Sequence, residues 1–473
     1  MLPSSPAPLP RFASTAALGF GGALLLWPVA QHFRIDSVRC DAWPPWPERL
    51  GLCLLFLLAV ALLLVGWQRL LRLSLAGALS QRQILLTMLL WHGAVLLLPP
   101  FLSDDPLFYL AIGRVLHTPH GSLLRPLREV LASDDPVLRL LPEHWQLGTT
   151  AYQSGFHALA WLIEAIPGLP WPARLRVYQA VSLLVVALSS TLSAAVSRRM
   201  GRPAAWGAVL VGLSPLTLLE GTLSAHNDVW LMLLLGLAAW LWLSRYRTVA
   251  LLPLLLGLMV KLSALLPLFT WGLSWLRPRL RSRPLPLLAL MSLLLGVGLW
   301  LLRLTHHDGP MSSVLFGSAD AAWDHCTRSL ECLPRAILRY GFERPDLSYR
   351  VGIAFRLLGA LWLVWVAWQA AGPLAATVWG LFSYYLYLHG WAQSWYLLAV
   401  LPLRPFLSET RGRALEVLCG SGCAYYALAL FRNCLTAPWQ VALCELVEGL
   451  ITILPPTYVL LRKEPLAYVR PAT

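Results

Sequence analysis

The chain of 473 residues is 58% hydrophobic and 13% charged, with a mean hydropathy of +0.63. Globular proteins run near 45–50% apolar and about 25% charged, so a compact soluble fold has no interior large enough to hide this much apolar surface. The net charge of +14 does not mark a nucleic-acid binder, because the arginines sit in short clusters between apolar runs, the pattern by which a membrane protein encodes its orientation.

Taken in chain order, the apolar runs are 15–33, 50–68, 83–101, 175–197, 204–219, 228–244, 285–304, 351–370, 374–390, 396–408, 414–431 and 436–461. They read as helices, since in lipid only helices or closed barrels satisfy the backbone, and unbroken apolarity excludes the alternation of a barrel strand. Arg11 precedes the first run, but no small-residue cleavage site follows Trp27 to Phe33, so the run reads as a retained span. Residues 249–276 resemble one long span, yet that would place Arg277, Arg279, Arg281 and Arg283 on the outer side. A turn between Lys261 and Pro267 removes the conflict by making two short helices. The expected fold is therefore all-α and polytopic, with about 12–14 transmembrane helices.

Basic loops after alternate spans (Arg69, Arg72 and Arg82; Arg198, Arg199 and Arg202; Arg245 and Arg247; Arg411 and Arg413; Arg462 and Lys463) place both termini in the cytoplasm. Residues 1–14 read as a disordered tip, 15–463 as a single membrane domain and 464–473 as a cytoplasmic tail. The polar stretches 102–174, 220–227 and 305–350 then share the outer side with the tips at Lys261 and at Trp391 to Tyr396. Many of the 23 tryptophans lie at run ends, where an amphipathic ring suits the interface. Eight cysteines are too few for a disulfide scaffold and lack zinc-site spacing, although Cys326 and Cys332 share one polar loop and are expected to form a disulfide if it faces an oxidising compartment.

Four constellations carry candidate chemistry, each with a structural reading beside the functional one. Ser103-Asp104-Asp105-Pro106 either caps a short outer helix or supplies a general base for a sugar hydroxyl, one carboxylate acting and the other orienting it. Glu220 through His226-Asn227-Asp228 either caps the next helix or places ionisable groups at a functional site, where lipid makes them costly. Lys261 either snorkels to the interface or neutralises a phosphate. Trp391-Ala392-Gln393-Ser394-Trp395-Tyr396 is either an interfacial belt or a stacking wall for sugar rings and prenyl chains. His306-His307-Asp308 reads as a solvated loop, since adjacent residues do not all face one ion.

In this order the pieces resemble the GT-C membrane glycosyltransferases, and most of all the bacterial polyprenyl-phosphomannose-dependent alpha-1,6-mannosyltransferases. Ser103, Asp105, Tyr109 and Gly113 keep that family's spacing; Trp145 and Tyr152 to Phe156 resemble its aromatic stretch. Pro215-Leu216 before His226-Asn227-Asp228, then Lys261, then Gln393 with Trp395-Tyr396-Leu397-Leu398 and Leu401-Pro402 follow in order, with Ser394 where the family has proline. The resemblance covers residues 100–405. It implies a GT-C-like fold with periplasmic loops in the bacterial inner membrane, and inverting transfer of a hexose, mannose in that family, from a polyprenyl-phosphate donor to a glycan or glycolipid acceptor. Asp105 would be the base with Asp104 beside it. Tyr109, Glu220, His226, Asp228, Lys261, Gln393, Trp395 and Tyr396 would contact substrate, and no obligatory metal or other cofactor is expected, a divalent ion not being excluded. Partners are membrane lipids and these substrates. The rival classes are a flippase of lipid-linked sugars, which would gather ionisable groups near the midplane in repeated halves, and a glycan ligase.

Overall fold

In the computed structural model, residues 9–32, 45–150, 152–280, 329–389, 393–432, 435 and 438–462 are described, and among them every regular element is helical. The first three helices, α1 (Leu9–His32), α2 (Trp46–Leu75) and α3 (Gln81–Leu96), pack together through Ala23, Leu26, Phe56, Leu63 and Trp91. Ser80 and Gln83 form a reciprocal capping box that starts α3. The Trp91 indole reaches back to donate to the Ala16 carbonyl.

Residues 102–174 fold into a small layer of their own. It contains α4 (Asp105–His117), the single turns α5 (Leu127–Val130), α6 (Pro136–Leu140) and α7 (Glu143–Leu147), and α8 (Ser154–Glu164). Phe108, Tyr109, Ile112, Phe156 and Ile163 form its core. Gly113 is required where α4 crosses α8, since a Cβ there would meet the Ala160 carbonyl oxygen at 2.7 Å. Arg174 pairs with Glu164 at 3.1 Å and ties the layer to the start of the long helix α9 (Trp171–Arg199).

The next span is broken. Helix α10 (Ala204–Gly212) stops before Ser214-Pro215, and a π-helical turn over Thr217–Leu223 continues at an angle of 60°. Proline removes a backbone donor, so the freed carbonyls need other partners in an apolar surround. Thr217 Oγ1 donates to the carbonyls of Val211 and Ser214, and His92 staples the two halves through the Gly212 carbonyl at 2.8 Å and the Thr222 hydroxyl at 2.7 Å. The chain enters α11 (Asp228–Leu243) through Ala225 at φ +48°, a left-handed conformation that costs a non-glycine residue about 1–2 kcal/mol.

The expected turn at Lys261 is present: α12 (Leu251–Leu258) is eight residues long, roughly 12 Å, and Lys261 is extended before α13 (Leu265–Leu280) runs back. Arg277, near the end of α13, donates to the carbonyls of Trp368 and Ala370. The remaining helices are α14 (Cys332–Ala336), α15 (Pro345–Gln369), α16 (Pro373–Ser383), a long 3-10 segment over Ser394–Phe406, α17 (Glu409–Ala424), α18 (Tyr426–Arg432) and α19 (Pro438–Leu461). At the lower end of this 3-10 segment the buried Arg404 pairs with Glu416 at 2.8 Å and Glu409 at 3.2 Å and lies over Trp206. Cys332 is disulfide-bonded, while Cys326 and His306-His307-Asp308 lie outside the described residues.

Among the described residues, five helices are long and apolar enough to cross a membrane, six if the bent pair forms one span. Each of the five keeps more than half of its most apolar window unburied, as a lipid-facing helix does. The protein is a multi-pass membrane protein. The larger number expected from hydropathy counts runs that fold as shorter or broken helices, such as 204–219 and 396–408, and run 285–304, which lies outside the described residues.

Helix α9 separates the exposed loop at Leu124 from the exposed Arg198 by a rod of 29 residues, roughly 43 Å. A membrane-impermeant thiol reagent applied to intact cells should label Leu124→Cys and leave Arg198→Cys untouched until the membrane is opened. Labelling of both from outside would overturn this topology.

Candidate functional site

Four separated segments converge at one end of the bundle. Asp105 opens α4, His226 sits in the link before α11, Lys261 lies at the α12–α13 turn, and Trp395 starts the 3-10 segment. The layer of residues 102–174 is docked onto that turn by the backbone: Gly155 N–H donates to the Met259 carbonyl at 2.6 Å. A Cβ at position 155 would sit 2.7 Å from the same oxygen, so glycine permits the approach.

The acidic pair is not spent on helix capping. Asp104 occupies the N-cap of α4 without a side-chain cap bond, and the Ser103 hydroxyl instead accepts from the Asp105 N–H at 3.2 Å. The buried Asp105 carboxylate turns inward. Its Oδ2 accepts from the Tyr152 hydroxyl at 3.1 Å, from the Tyr109 hydroxyl at 3.3 Å and from His226 Nδ1 at 3.0 Å. Oδ1 receives no hydrogen bond among the described residues, which leaves that oxygen to meet a ligand. Tyr109 is itself fixed by Tyr152, Phe156 and Tyr178 around its ring and by the Asn227 N–H on its oxygen.

His226 is wholly buried, stacked on Trp395 with ring centroids 4.0 Å apart. Its Nε2 lies 3.4 Å from Glu220 Oε2, an ion-pair distance without an aligned hydrogen bond. Glu220, on the π-helical turn, is also wholly buried, and accepts from Ser394 and, at 3.0 Å, from the Tyr426 hydroxyl. Asp228 and Lys261 form a second pair at 2.7 Å, with the ammonium 4.4 Å from the centre of the Tyr396 ring. Lys261 therefore does not snorkel away, and neither Asn227 nor Asp228 caps α11 with its side chain.

Burial favours the neutral carboxyl at Asp104, and the charge of Asp105 adds to this, so its pKa is pushed up to about 6. At Asp105 burial acts in the same direction, but the bond and charge of His226, the charge of Lys261 and the Tyr152 hydroxyl override it and hold the carboxyl below its ordinary value. Burial lowers His226, yet its contacts with Asp105 and Glu220 prevail and raise it to about 9. One end of the bundle thus presents an ionised carboxylate, an imidazolium and an ammonium within a few ångströms of aromatic walls.

Of the residues picked out by sequence, Asp105, Tyr109, Glu220, His226, Asp228, Lys261, Trp395 and Tyr396 share this cluster and Asp104 borders it. Gln393 is buried and lines a neighbouring cavity with Ser394, Tyr385 and Tyr425. Trp391 lies outside the described residues. Sequence reasoning did not single out Tyr152 as a partner of Asp105, nor Tyr426 and Ser394 as partners of Glu220; the signal was a phenol or hydroxyl in an apolar setting, which needs a partner there. A small apolar crevice is lined by Leu231, Leu235, Leu254, Gly257, Pro267 and Leu381, and by Ser263 and Ala264 just after Lys261. Among the described residues no three His, Cys, Asp or Glu side chains are grouped to hold a metal ion.

The family model for the alpha-(1->6)-mannopyranosyltransferase N-terminal domain (MptA_B family) matches residues 13–277, more than half of the chain. No curated protein and no solved structure matches. The matched region contains Asp105, Tyr109, Glu220, His226, Asp228 and Lys261, and ends before Gln393 to Tyr396.

A raised carboxyl pKa stabilises the fold below the unfolded value and ceases to do so as pH rises through the folded one. Asp104→Asn should therefore raise the melting temperature at about pH 8, where the buried charge is removed, and change it little near pH 4. Equal destabilisation at both pH values would show that the Asp104 charge is satisfied.

Proposed function

The chain belongs to the alpha-(1->6)-mannopyranosyltransferase family and is a membrane mannosyltransferase, and from that premise we propose that it transfers mannose from a polyprenyl-phosphate carrier to a glycan or glycolipid acceptor at the periplasmic face of a bacterial inner membrane. The observation that carries this reading is the Asp105 carboxylate, held by three donors on Oδ2 with Oδ1 left open. A base must be ionised, aimed and within reach of the proton it takes, and this arrangement meets the first two conditions. The arginine clusters on the opposite side support the outward orientation.

In the proposed reaction the acceptor hydroxyl attacks the anomeric carbon from the face opposite the phosphate. The carbon–phosphate-oxygen bond breaks as the new glycosidic bond forms, so configuration inverts and an alpha product requires a beta-linked donor. The proton passes to Asp105 Oδ1. A carboxylate with a depressed pKa is a weak base toward a free alcohol. Its work comes late, when the attacking oxygen has begun to bond to an electron-poor carbon and its proton has become acidic. The departing lipid phosphate takes up negative charge, which Lys261 meets as a compact cation already in place. The apolar side chains of Leu231, Leu235 and Leu254, near the turn that carries Lys261, would pack against a prenyl chain whose phosphate would then lie near the ammonium. A flippase would place its ionisable groups near the midplane, whereas these gather at one end and the family is one of transferases.

Asp105→Asn keeps the shape and most of the hydrogen bonds while removing the base. Turnover should fall by roughly 10²–10⁴-fold with donor affinity close to that of the wild type. Asp104→Asn should cost much less. Lys261→Ala should weaken donor binding as well as turnover, because the phosphate is charged before and during transfer. These quantities are measured in nanodiscs with a labelled polyprenyl-phosphomannose. Near wild-type turnover in Asp105→Asn with an inactive Asp104→Asn would reverse the assignment, and activity in both would end it.

A further inference from the structure

Glu220 offers nothing to a substrate. It is wholly buried, one oxygen accepts from Ser394, and the other accepts from Tyr426 and lies against His226. Burying a carboxylate is costly even when it is paired, so its place calls for a reason beyond packing. Local structure is built around it: the π-helical turn that carries it is held by His92 on one side, and Gln179 donates to the Leu223 carbonyl at its end. His226 faces Asp105 through one ring nitrogen and Glu220 through the other, 3.0 Å and 3.4 Å away. A neutral imidazole can carry its one N–H on either nitrogen, whereas an imidazolium keeps an N–H toward Asp105 and presents its positive charge to Glu220.

We propose that Glu220 is a positioning residue for the transfer reaction, holding His226 by charge as an imidazolium that donates through Nδ1 to the Asp105 carboxylate, aims it and keeps it ionised. The proposal rests on the reading of Asp105 as the base. Without the Glu220 charge the ring is free to lose its proton and to choose a tautomer, and one of the two tautomers turns a lone pair toward Asp105 Oδ2. The same carboxylate accepts from Ser394, the residue preceding Trp395, whose ring is stacked on His226. The aromatic wall and the base are thus tied to one buried acid.

The charged groups that act on His226 are Asp105 from α4, Glu220 from the π-helical turn and Asp228 at the start of α11, with Lys261 balancing Asp228 and Asp105. The raised value near 9 fits two adjoining carboxylates, and its sign is definite: the imidazolium persists through neutral pH and is lost as pH rises through about 9. Removing one carboxylate lowers that limit.

The test is kcat against pH for the full-length enzyme in nanodiscs, with labelled polyprenyl-phosphomannose and a mannoside acceptor. In Glu220→Gln the alkaline limb should move to lower pH by about one unit or more, with much of the turnover regained at the acid end and donor Kd within about twofold. A profile parallel to the wild type at reduced height would show a structural role only, and a weakened donor Kd at unchanged kcat would make Glu220 a substrate contact; either result overturns the proposal. Tyr426→Phe covers the case in which Glu220→Gln does not fold. Stripping a neutral donor from the carboxylate strengthens its pull on His226, so the limb should stay in place or move up, and a downward shift would overturn the proposal. Asp105→Asn separates the two levels: if it is inactive at every pH while Glu220→Gln runs parallel to the wild type, the positioning role fails alone, and if it stays active the base itself is misassigned.

Discussion

A charge taken out of water must be met by an opposite charge or by several donors, and in a chain this apolar the requirement organises the molecule. Asp105 is the clearest instance. It draws Tyr109 from its own helix, Tyr152 from across the outer layer and His226 from the link before α11 onto a single oxygen. His226 then engages Glu220, and Asp228 engages Lys261 at the turn of the α12–α13 hairpin. The Asp105–Tyr152, Asp105–His226 and Asp228–Lys261 contacts bridge 47, 121 and 33 residues, so the cluster sets the relative positions of segments that hydropathy alone would let slide. Hydrophobic burial discriminates little between helices in lipid, and polar contacts and close packing supply the specificity.

The far end of the bundle shows the same logic without openness. Arg404 is buried between Glu409, Glu416 and the face of Trp206, and Gly412 is needed because a Cβ there would lie 2.1 Å from the guanidinium. That guanidinium spends Nε and Nη2 on the two carboxylates. At the outer end the Asp105 Oδ1 oxygen is left without a donor among the described residues, and Lys261 pairs with Asp228 over the Tyr396 ring. The gathering of Asp105, His226, Glu220, Asp228 and Lys261 beside the Trp395 and Tyr396 rings is the physical ground for assigning the chemistry to one end.

Much of this was legible in the residues before any coordinates. The membrane class followed from composition, the hairpin from the awkward sign of the arginines after residue 276, and the convergence of Asp105, His226, Lys261 and Trp395 from loop alternation. What stayed hidden has physical causes. The run 204–219 reads as one span, because hydropathy does not register that Pro215 bends it by 60° and that His92 repairs the break. Tyr152 stood out only as part of an aromatic stretch and Tyr426 not at all, since the carboxylate that each phenol serves lies far away in sequence. Glu220 read as a substrate contact because an ionisable residue near lipid signals function without giving its direction, and here it points into the protein.

The central claim is that one oxygen of Asp105 meets the acceptor hydroxyl while Lys261 meets the donor phosphate. A structure in nanodiscs with a phosphonate analogue of polyprenyl-phosphomannose and a mannoside acceptor tests it directly. The account predicts the phosphonate beside Lys261, the prenyl chain packed against Leu235 and Leu254, and the acceptor hydroxyl within hydrogen-bonding distance of Asp105 Oδ1 on the face of the sugar opposite the phosphonate. A phosphonate seated away from Lys261, with Asp105 still enclosed by its own donors and touching neither substrate, would contradict it.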